Sequence, residues 1–290
     1  MLSIALPKGS LEKQTLMLFA QADLEVKRGF REYNPTIDDP RISKVKILRP
    51  QEIPGYVAEG YFDLGISGAD CIQESEVNVV EVAELPYAKT GTGTIKMVVA
   101  VANDSSVEKP EDIPAGSRVT TEFPNITKAY FENLGIPVEI FYSYGASEAK
   151  IPELMDVVVD LTETGETLIQ NQLKIIGVIG EFPTKLIANT MSWADPEKKK
   201  AIEEIKTLLL GVIEARGRVL LSMNVPKKKL KGVLEVLPAM KKPTISELSD
   251  KNYVEVTTVV DKANVNIILP ELKDKGAEDI LELPIAKIVK

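Results

Sequence analysis

The sequence contains no histidine and only one cysteine, Cys71, in 290 residues. Without an imidazole there is no histidine triad, no histidine general base and no histidine-rich zinc site. A lone cysteine excludes a disulfide framework and is compatible with a reducing cytosol. No stretch approaches the roughly 20 apolar residues that span a bilayer. Met1–Leu6 runs straight into Pro7-Lys8-Gly9, leaving no room for the apolar core of a signal peptide. The 18 Gly and 18 Pro are too few for a fibrous or low-complexity chain. The expectation is a cytoplasmic protein. Its chemistry must come from carboxylates, Lys, Arg, Thr, backbone amides, or a hard cation such as Mg²⁺ held mainly by substrate oxygens.

What is present is ordinary globular material: 44% hydrophobic and 27% charged residues, enough for two or three compact domains. The formal net charge is −8, unevenly spread. Residues 211–290 carry 14 Lys and Arg against 11 Asp and Glu, and the first 210 carry 21 against 32. An acidic body argues against a general nucleic-acid binder. The lysine clusters Lys198–Lys200, Lys227–Lys229 and Lys241-Lys242 have no interleaved aromatic platform and read as solvated faces. A polyphosphate ligand would need local lysines, arginines and amides to overcome the overall field.

Strand-like and helix-like segments alternate through about 190 residues, which predicts parallel sheets built from crossover units. Strands are expected at Leu2–Leu6, Val45–Leu48, Asp63–Ser67, Lys96–Ala102, Arg118–Thr121, Val138–Tyr142 and Val157–Leu161. Helices are expected after Ser10, from Pro50, over Asn125–Leu134, over Glu166–Gln172 and over Pro196–Leu221. Two segments, Gly91–Gly93 and Ile175–Leu186, are candidate crossings between two lobes. Such sheets bind ligands at the carboxyl ends of their strands. The last 70 or so residues change character to βαββαβ, the ferredoxin-like order. The expected division is lobe I from 1–90 with about 185–210, lobe II from 91–184, and a separate small domain from 211–290.

The sharpest local signal is Val157-Val-Val-Asp160-Leu-Thr162-Glu163-Thr164-Gly165-Glu166-Thr167-Leu168. An apolar strand ends in an acid, and a loop with three Thr and one Gly opens a helix. Loop amides and Thr hydroxyls suit a phosphate monoester, and Gly165 allows close approach of the backbone. A plain helix cap with incidental threonines fits the same letters. The segment is not a Walker loop, since the Gly-Lys-Ser/Thr ending is absent. Asp160 and Glu163 are candidates for sugar hydroxyls, directly or through Mg²⁺, while Glu163 equally suits a helix N-terminus.

Asp-Leu-x-x-Thr-Gly-x-Thr-Leu resembles the phosphoribosyl-pyrophosphate loop of the ATP phosphoribosyltransferases, which open histidine biosynthesis. Other segments resemble the same family in order: Leu6-Pro7-Lys8-Gly9-Ser10-Leu11, Arg49 to Val57, Asp63 to Asp70, Thr120 to Phe131, and Gly145-Ala-Ser-Glu148. The tail resembles the regulatory domain of the family's long form, through Lys242-Pro-Thr244-Ile-Ser246 and the closing Pro284–Val289. The resemblance implies a body with two lobes, like the periplasmic binding proteins, followed by a ferredoxin-like regulatory domain. It implies that adenine N1 of ATP attacks C1 of 5-phosphoribosyl 1-pyrophosphate with Mg²⁺ present. It further implies homo-oligomers, dimer and hexamer, and inhibition by histidine.

Residue by residue, the resemblance implies pyrophosphate contacts for Lys8 and Arg49. It gives the phosphoribosyl side to Glu148, Asp160, Thr162, Glu163, Thr164, Gly165, Glu166 and Thr167, and the ATP side to Gly9, Gly68, Asp70, Thr120 and Glu122. Asn125 and Thr127 lie at the same strand-to-helix turn and suit caps as well as contacts. Asn224, Thr244 and Ser246 are the effector positions, with Asn224 standing where many long forms carry an Asp. A two-lobed binding protein that closes on a phosphorylated ligand without catalysis is the rival. A base-salvage transferase is less apt, since Val159 rather than a second acid precedes Asp160.

Overall fold

The computed structural model describes residues 1–30, 32–87, 95–238 and 242–290. The Gly91–Gly93 segment and Lys241 lie outside the described residues. The chain forms two compact units, Met1–Lys206 and Thr207–Lys290.

The first unit holds two five-stranded sheets. One runs in the order Ile42–Leu48, Leu2–Pro7, Leu64–Gly68, Thr184–Ala188, Val80–Leu85. The first three strands are parallel, and Thr184–Ala188 runs antiparallel to its neighbours. All of Leu64–Gly68 is buried, as expected for a central strand covered on both faces. The second sheet is ordered Leu173–Phe182, Ile95–Ala102, Val157–Thr162, Arg118–Thr121, Glu139–Tyr142. Its last three strands are parallel, and Ile95–Ala102 pairs antiparallel to both neighbours. The body is the two-lobed α/β arrangement that the alternation implied.

Burial explains the second sheet. Met97, Val99, Val101, Val119, Val157 and Val159 meet Ile126 and Phe131 of the helix Pro124–Leu134 on one face. Val98, Ala100 and Val158 meet Ile151, Leu168 and Leu173 on the other. Each fully buried Val contributes about 1.5–3 kcal/mol. The chain returns to the first sheet through Pro183, inside the expected crossing Ile175–Leu186. That crossing is strand on both sides of Pro183.

The helix beginning at Pro196 ends at Ala215, not at Leu221. Gly217 adopts a left-handed φ of 70°, and a strand follows at Arg218. The boundary between the two units falls inside this helix. In the second unit the strands Arg218–Pro226, Thr244–Glu247, Tyr253–Asp261 and Glu278–Pro284 form an antiparallel sheet with the sequence-first strand next to the third and fourth. Val219, Leu221, Met223, Val225, Val254 and Val256 pack against Val233, Val265, Ile268 and Leu272 of the helices Leu230–Val236 and Lys262–Asp274. This is the ferredoxin-like βαββαβ topology. Among the described residues, no helix is long and apolar enough to cross a membrane.

Candidate active site

Functional side chains collect where the parallel strands end. Lys8 follows Leu2–Pro7, Arg49 follows Ile42–Leu48, and Gly68 closes Leu64–Gly68. Lys8 N donates to Leu48 O (2.7 Å), and Ser67 Oγ donates to Pro50 O (2.8 Å), so the three strand ends are held side by side. On the second sheet, Glu122 follows Arg118–Thr121, Glu148 lies in the turn after Glu139–Tyr142, and Asp160 sits within Val157–Thr162.

The turn 160–168 is built by its own atoms. Thr162 Oγ1 accepts from Gly165 N (2.8 Å), and Asp160 Oδ1 accepts from Leu161 N (2.7 Å). Gly165 has φ 79° and starts the helix Glu166–Gln170, two residues shorter than expected. A Cβ on Gly165 would meet only Ile175 Cδ1, at 3.6 Å. The glycine is therefore required for its left-handed backbone rather than for space. Leu168 is buried against Val158 and Ile151 and anchors the far end. Thr164, Glu166 and Thr167 are left exposed.

This turn lines a cavity of about 470 Å³ formed by Glu148, Asp160, Leu161, Thr162, Glu163, Thr164, Glu166, Thr167 and Leu168 together with Ile95 and Ser10. Ser10 belongs to the first lobe, so the turn faces the crevice between the lobes. Gly165 stands in the backbone of the same turn. Ser10 is not among the expected site residues, although it stands in the family-like segment Leu6–Leu11 directly after Lys8-Gly9.

Burial pushes the Asp160 carboxyl up to about 6, with the nearby charges of Glu148 and Glu122 adding to the rise and the Leu161 amide opposing it. Three acids thus face one region. Among the described residues no group of three or more His, Cys, Asp or Glu side chains is placed to hold a metal by itself. The acids are hard oxygen donors, which fits a hard cation completing its shell with ligand oxygens.

Lys8 lines a neighbouring hollow of about 460 Å³ with Glu12, Arg28, Gly29, Phe30 and Tyr33. Its ammonium donates to Tyr33 Oη (2.8 Å), and Arg28 pairs with Glu12 at 2.5 Å. Gly9 N donates to Glu12 Oε2 (3.2 Å). Arg49 is exposed. Arg28 and Tyr33 were not foreseen, as no motif marked them.

Asp70 is buried, which raises its pKa, and the Cys71 thiol lies 3.5 Å from its Oδ2. A Cβ on Gly68 would sit 2.0 Å from Asp70 Oδ1, so only glycine lets this carboxylate fold over the backbone. Burial and the Asp70 charge push the Cys71 thiol far up, away from nucleophile chemistry. Thr120 is fully buried and its hydroxyl has no partner among the described residues, so it lies inside the protein rather than on the crevice wall. Thr127 is also fully buried, with its hydroxyl 3.4 Å from Thr121 Oγ1.

In the second unit, Asn224, Thr244 and Ser246 share the sheet face opposite the helices. Asn224 and Ser246 both stand across from Glu255, and Thr244 stands across from Thr257. Glu255, unforeseen from sequence, accepts from Ser222 Oγ (2.6 Å) and Thr257 Oγ1 (3.3 Å). Asn224 Nδ2 donates to Asp279 Oδ2 (2.9 Å).

Comparison with known proteins gives consistent matches. The model of the family described as ATP phosphoribosyltransferase matches residues 49–211, and that described as HisG, C-terminal domain matches residues 215–287. An ATP phosphoribosyltransferase of Pelotomaculum thermopropionicum is 44% identical over 288 residues, 99% of each chain. One of Solibacter usitatus is 45% identical over 289 residues, covering 100% of this chain and 99% of the relative. Among solved structures, a chain of the ATP phosphoribosyl transferase (HisG:HisZ) complex from Thermotoga maritima superposes with a TM-score of 0.61 at 29% identity, over 72% of this chain and 99% of that one.

Proposed function

The chain belongs to the ATP phosphoribosyltransferase family, and from that premise we propose that the 160–168 turn grips the 5-phosphate of phosphoribosyl pyrophosphate while ATP enters from the first lobe. The enzyme is a pentosyltransferase that catalyses the first step of histidine biosynthesis. The observation that carries the site assignment is the cavity joining Ser10 of one lobe to the threonine turn of the other.

In the proposed reaction, adenine N1 forms a bond to C1 of the sugar as the C1–O bond to pyrophosphate breaks, giving 1-(5-phosphoribosyl)-ATP and pyrophosphate. Neutral N1 is already a nucleophile, so no strong base is required. The protein has to align the two reactants and neutralise the leaving group. Thr162, Thr164, Thr167 and the amides around Gly165 hold the 5-phosphate. Glu148, Asp160 and Glu163 take the ribose hydroxyls, with Glu166 at the outer edge. Lys8 and Arg49 meet the pyrophosphate, Arg49 in a form able to bind two oxygens at once. Gly9, Gly68, Asp70 and Glu122 form the ATP side, where Thr120 supports the strand from within. Mg²⁺ would be held mainly by substrate oxygens, with Asp160, Glu148 and Glu163 as the nearby acids, and would supply charge neutralisation on the pyrophosphate.

The second unit is proposed as the histidine sensor, with Asn224, Thr244 and Ser246 on the binding face, in a homo-oligomer of dimers and hexamers. Incubating the full chain with ATP, phosphoribosyl pyrophosphate and Mg²⁺ tests the reading. Equal amounts of phosphoribosyl-ATP and pyrophosphate are expected. Saturable binding of both substrates without turnover would favour a binding protein instead.

A further inference from the structure

The lobes meet at a contact that the proposed substrate groups do not use. Glu74, on the first-lobe helix Ala69–Ser75, accepts from Asn125 N (2.9 Å) through Oε1 and from Ile126 N (3.0 Å) through Oε2. In return, Asn125 Nδ2 donates to the Glu74 carbonyl (2.9 Å). Ala69 of the same helix packs against the second-lobe core.

The helix Pro124–Leu134 has Phe123 at its N-cap and no side-chain cap of its own. Its first free amides would otherwise go unsatisfied. A carboxylate from the other lobe satisfies two of them and complements the helix dipole. Burial raises the Glu74 pKa, while the two amides oppose that rise.

Placement gives this clamp its consequence. Asp70 lies one turn before Glu74, and Glu122 lies three residues before Asn125. The Glu122 charge reaches Cys71, the neighbour of Asp70 in the chain, so the clamp lies between the segments that carry these two residues.

We propose that Glu74 is a positioning residue: its clamp on the Pro124 helix holds Asp70 and Glu122 at the spacing that receives ATP. The inference rests on the site reading above. It distinguishes ATP, whose proposed residues Asp70 and Glu122 flank the clamp, from phosphoribosyl pyrophosphate, whose proposed residues are the 160–168 turn, Glu148, Lys8 and Arg49.

The test uses the full chain with Glu74→Ala, Glu74→Gln and the double variant Glu74→Ala/Asn125→Ala. Steady-state kinetics are followed for each substrate, with hydrogen exchange over the start of the Pro124 helix. Glu74→Ala should raise KM for ATP about tenfold and leave KM for phosphoribosyl pyrophosphate within about twofold. Glu74→Gln keeps one acceptor oxygen and should fall between. The double variant should cost no more than Glu74→Ala alone, because the two side chains act as one unit. Exchange at the helix start should quicken in Glu74→Ala. Faster exchange with unchanged kinetics, or equal losses for both substrates, would overturn the proposal. A wild-type chain with a protected helix start but no turnover would sink the reading of the site instead.

Discussion

Asp160 is held in a position that costs stability. Its carboxyl titrates near 6 in the fold because burial and two neighbouring acids disfavour the charge. A carboxyl with a raised folded pKa penalises the native state once ionised, and that penalty disappears as pH falls below the unfolded value near 4. Asp160→Asn should therefore stabilise the empty protein by about 2 kcal/mol at pH 8, read from denaturant unfolding, while turnover is lost. The same titration should make kcat/KM for phosphoribosyl pyrophosphate fall as pH drops through about 6. Gly165 makes a second residue-scale demand. A valine there must hold φ near 79°, a strain of about 1–3 kcal/mol. Gly165→Val should weaken phosphoribosyl pyrophosphate binding by about tenfold or more, measured by calorimetry, with ATP affinity little changed. The Asp-Leu-x-x-Thr-Gly pattern made this turn legible. Residues that act from a distance, such as Glu74 and Glu255, carried no local pattern and emerged only once strands and helices were paired.

Elements are tied by polar links that sequence does not announce. Asp63 precedes the central strand and is 8% exposed. It accepts from Ser192 Oγ (2.6 Å), Lys198 Nζ (2.7 Å), Ser3 N (2.7 Å) and Ser3 Oγ (2.8 Å). Burial alone would raise its pKa, but Lys198, Ser192 and Ser3 outweigh it and hold the carboxyl near 2. A depressed pKa means the stabilisation is complete above about 4 and is lost as pH falls through about 2. The magnitude is about 2 kcal/mol. Acid unfolding of Asp63→Asn, compared with the parent, should show this slope removed; an unchanged acid transition would contradict it.

Strands buried on both faces, such as Leu64–Gly68 and Val157–Val159, were readable because apolar runs leave few alternatives. Val80–Leu85 was missed because its residues are half-buried and carry two glutamates. Thr184–Ala188 merged with the preceding apolar stretch. The helix from Pro196 was drawn too long because apolar residues continue past Gly217 into the next strand, where period alone does not separate the two.

At the scale of the molecule, two compact units follow one another along the chain. The sequence pattern changes near residue 211, whereas the units divide at Lys206, inside the helix Pro196–Ala215, and each closes its own core. Truncation after Ala215 keeps the helix Pro196–Ala215 whole. The shortened chain should fold, and where it turns over it should no longer respond to histidine. Retained inhibition would show that the sensor is elsewhere.

A crystal structure with phosphoribosyl pyrophosphate and Mg²⁺ bound tests the central claim most directly. The account predicts the 5-phosphate oxygens within about 3 Å of backbone nitrogens between Thr162 and Thr167, with the pyrophosphate directed towards Lys8 and Arg49. A 5-phosphate lodged in the Lys8–Tyr33 hollow, or anywhere that leaves the threonine turn untouched, would contradict it.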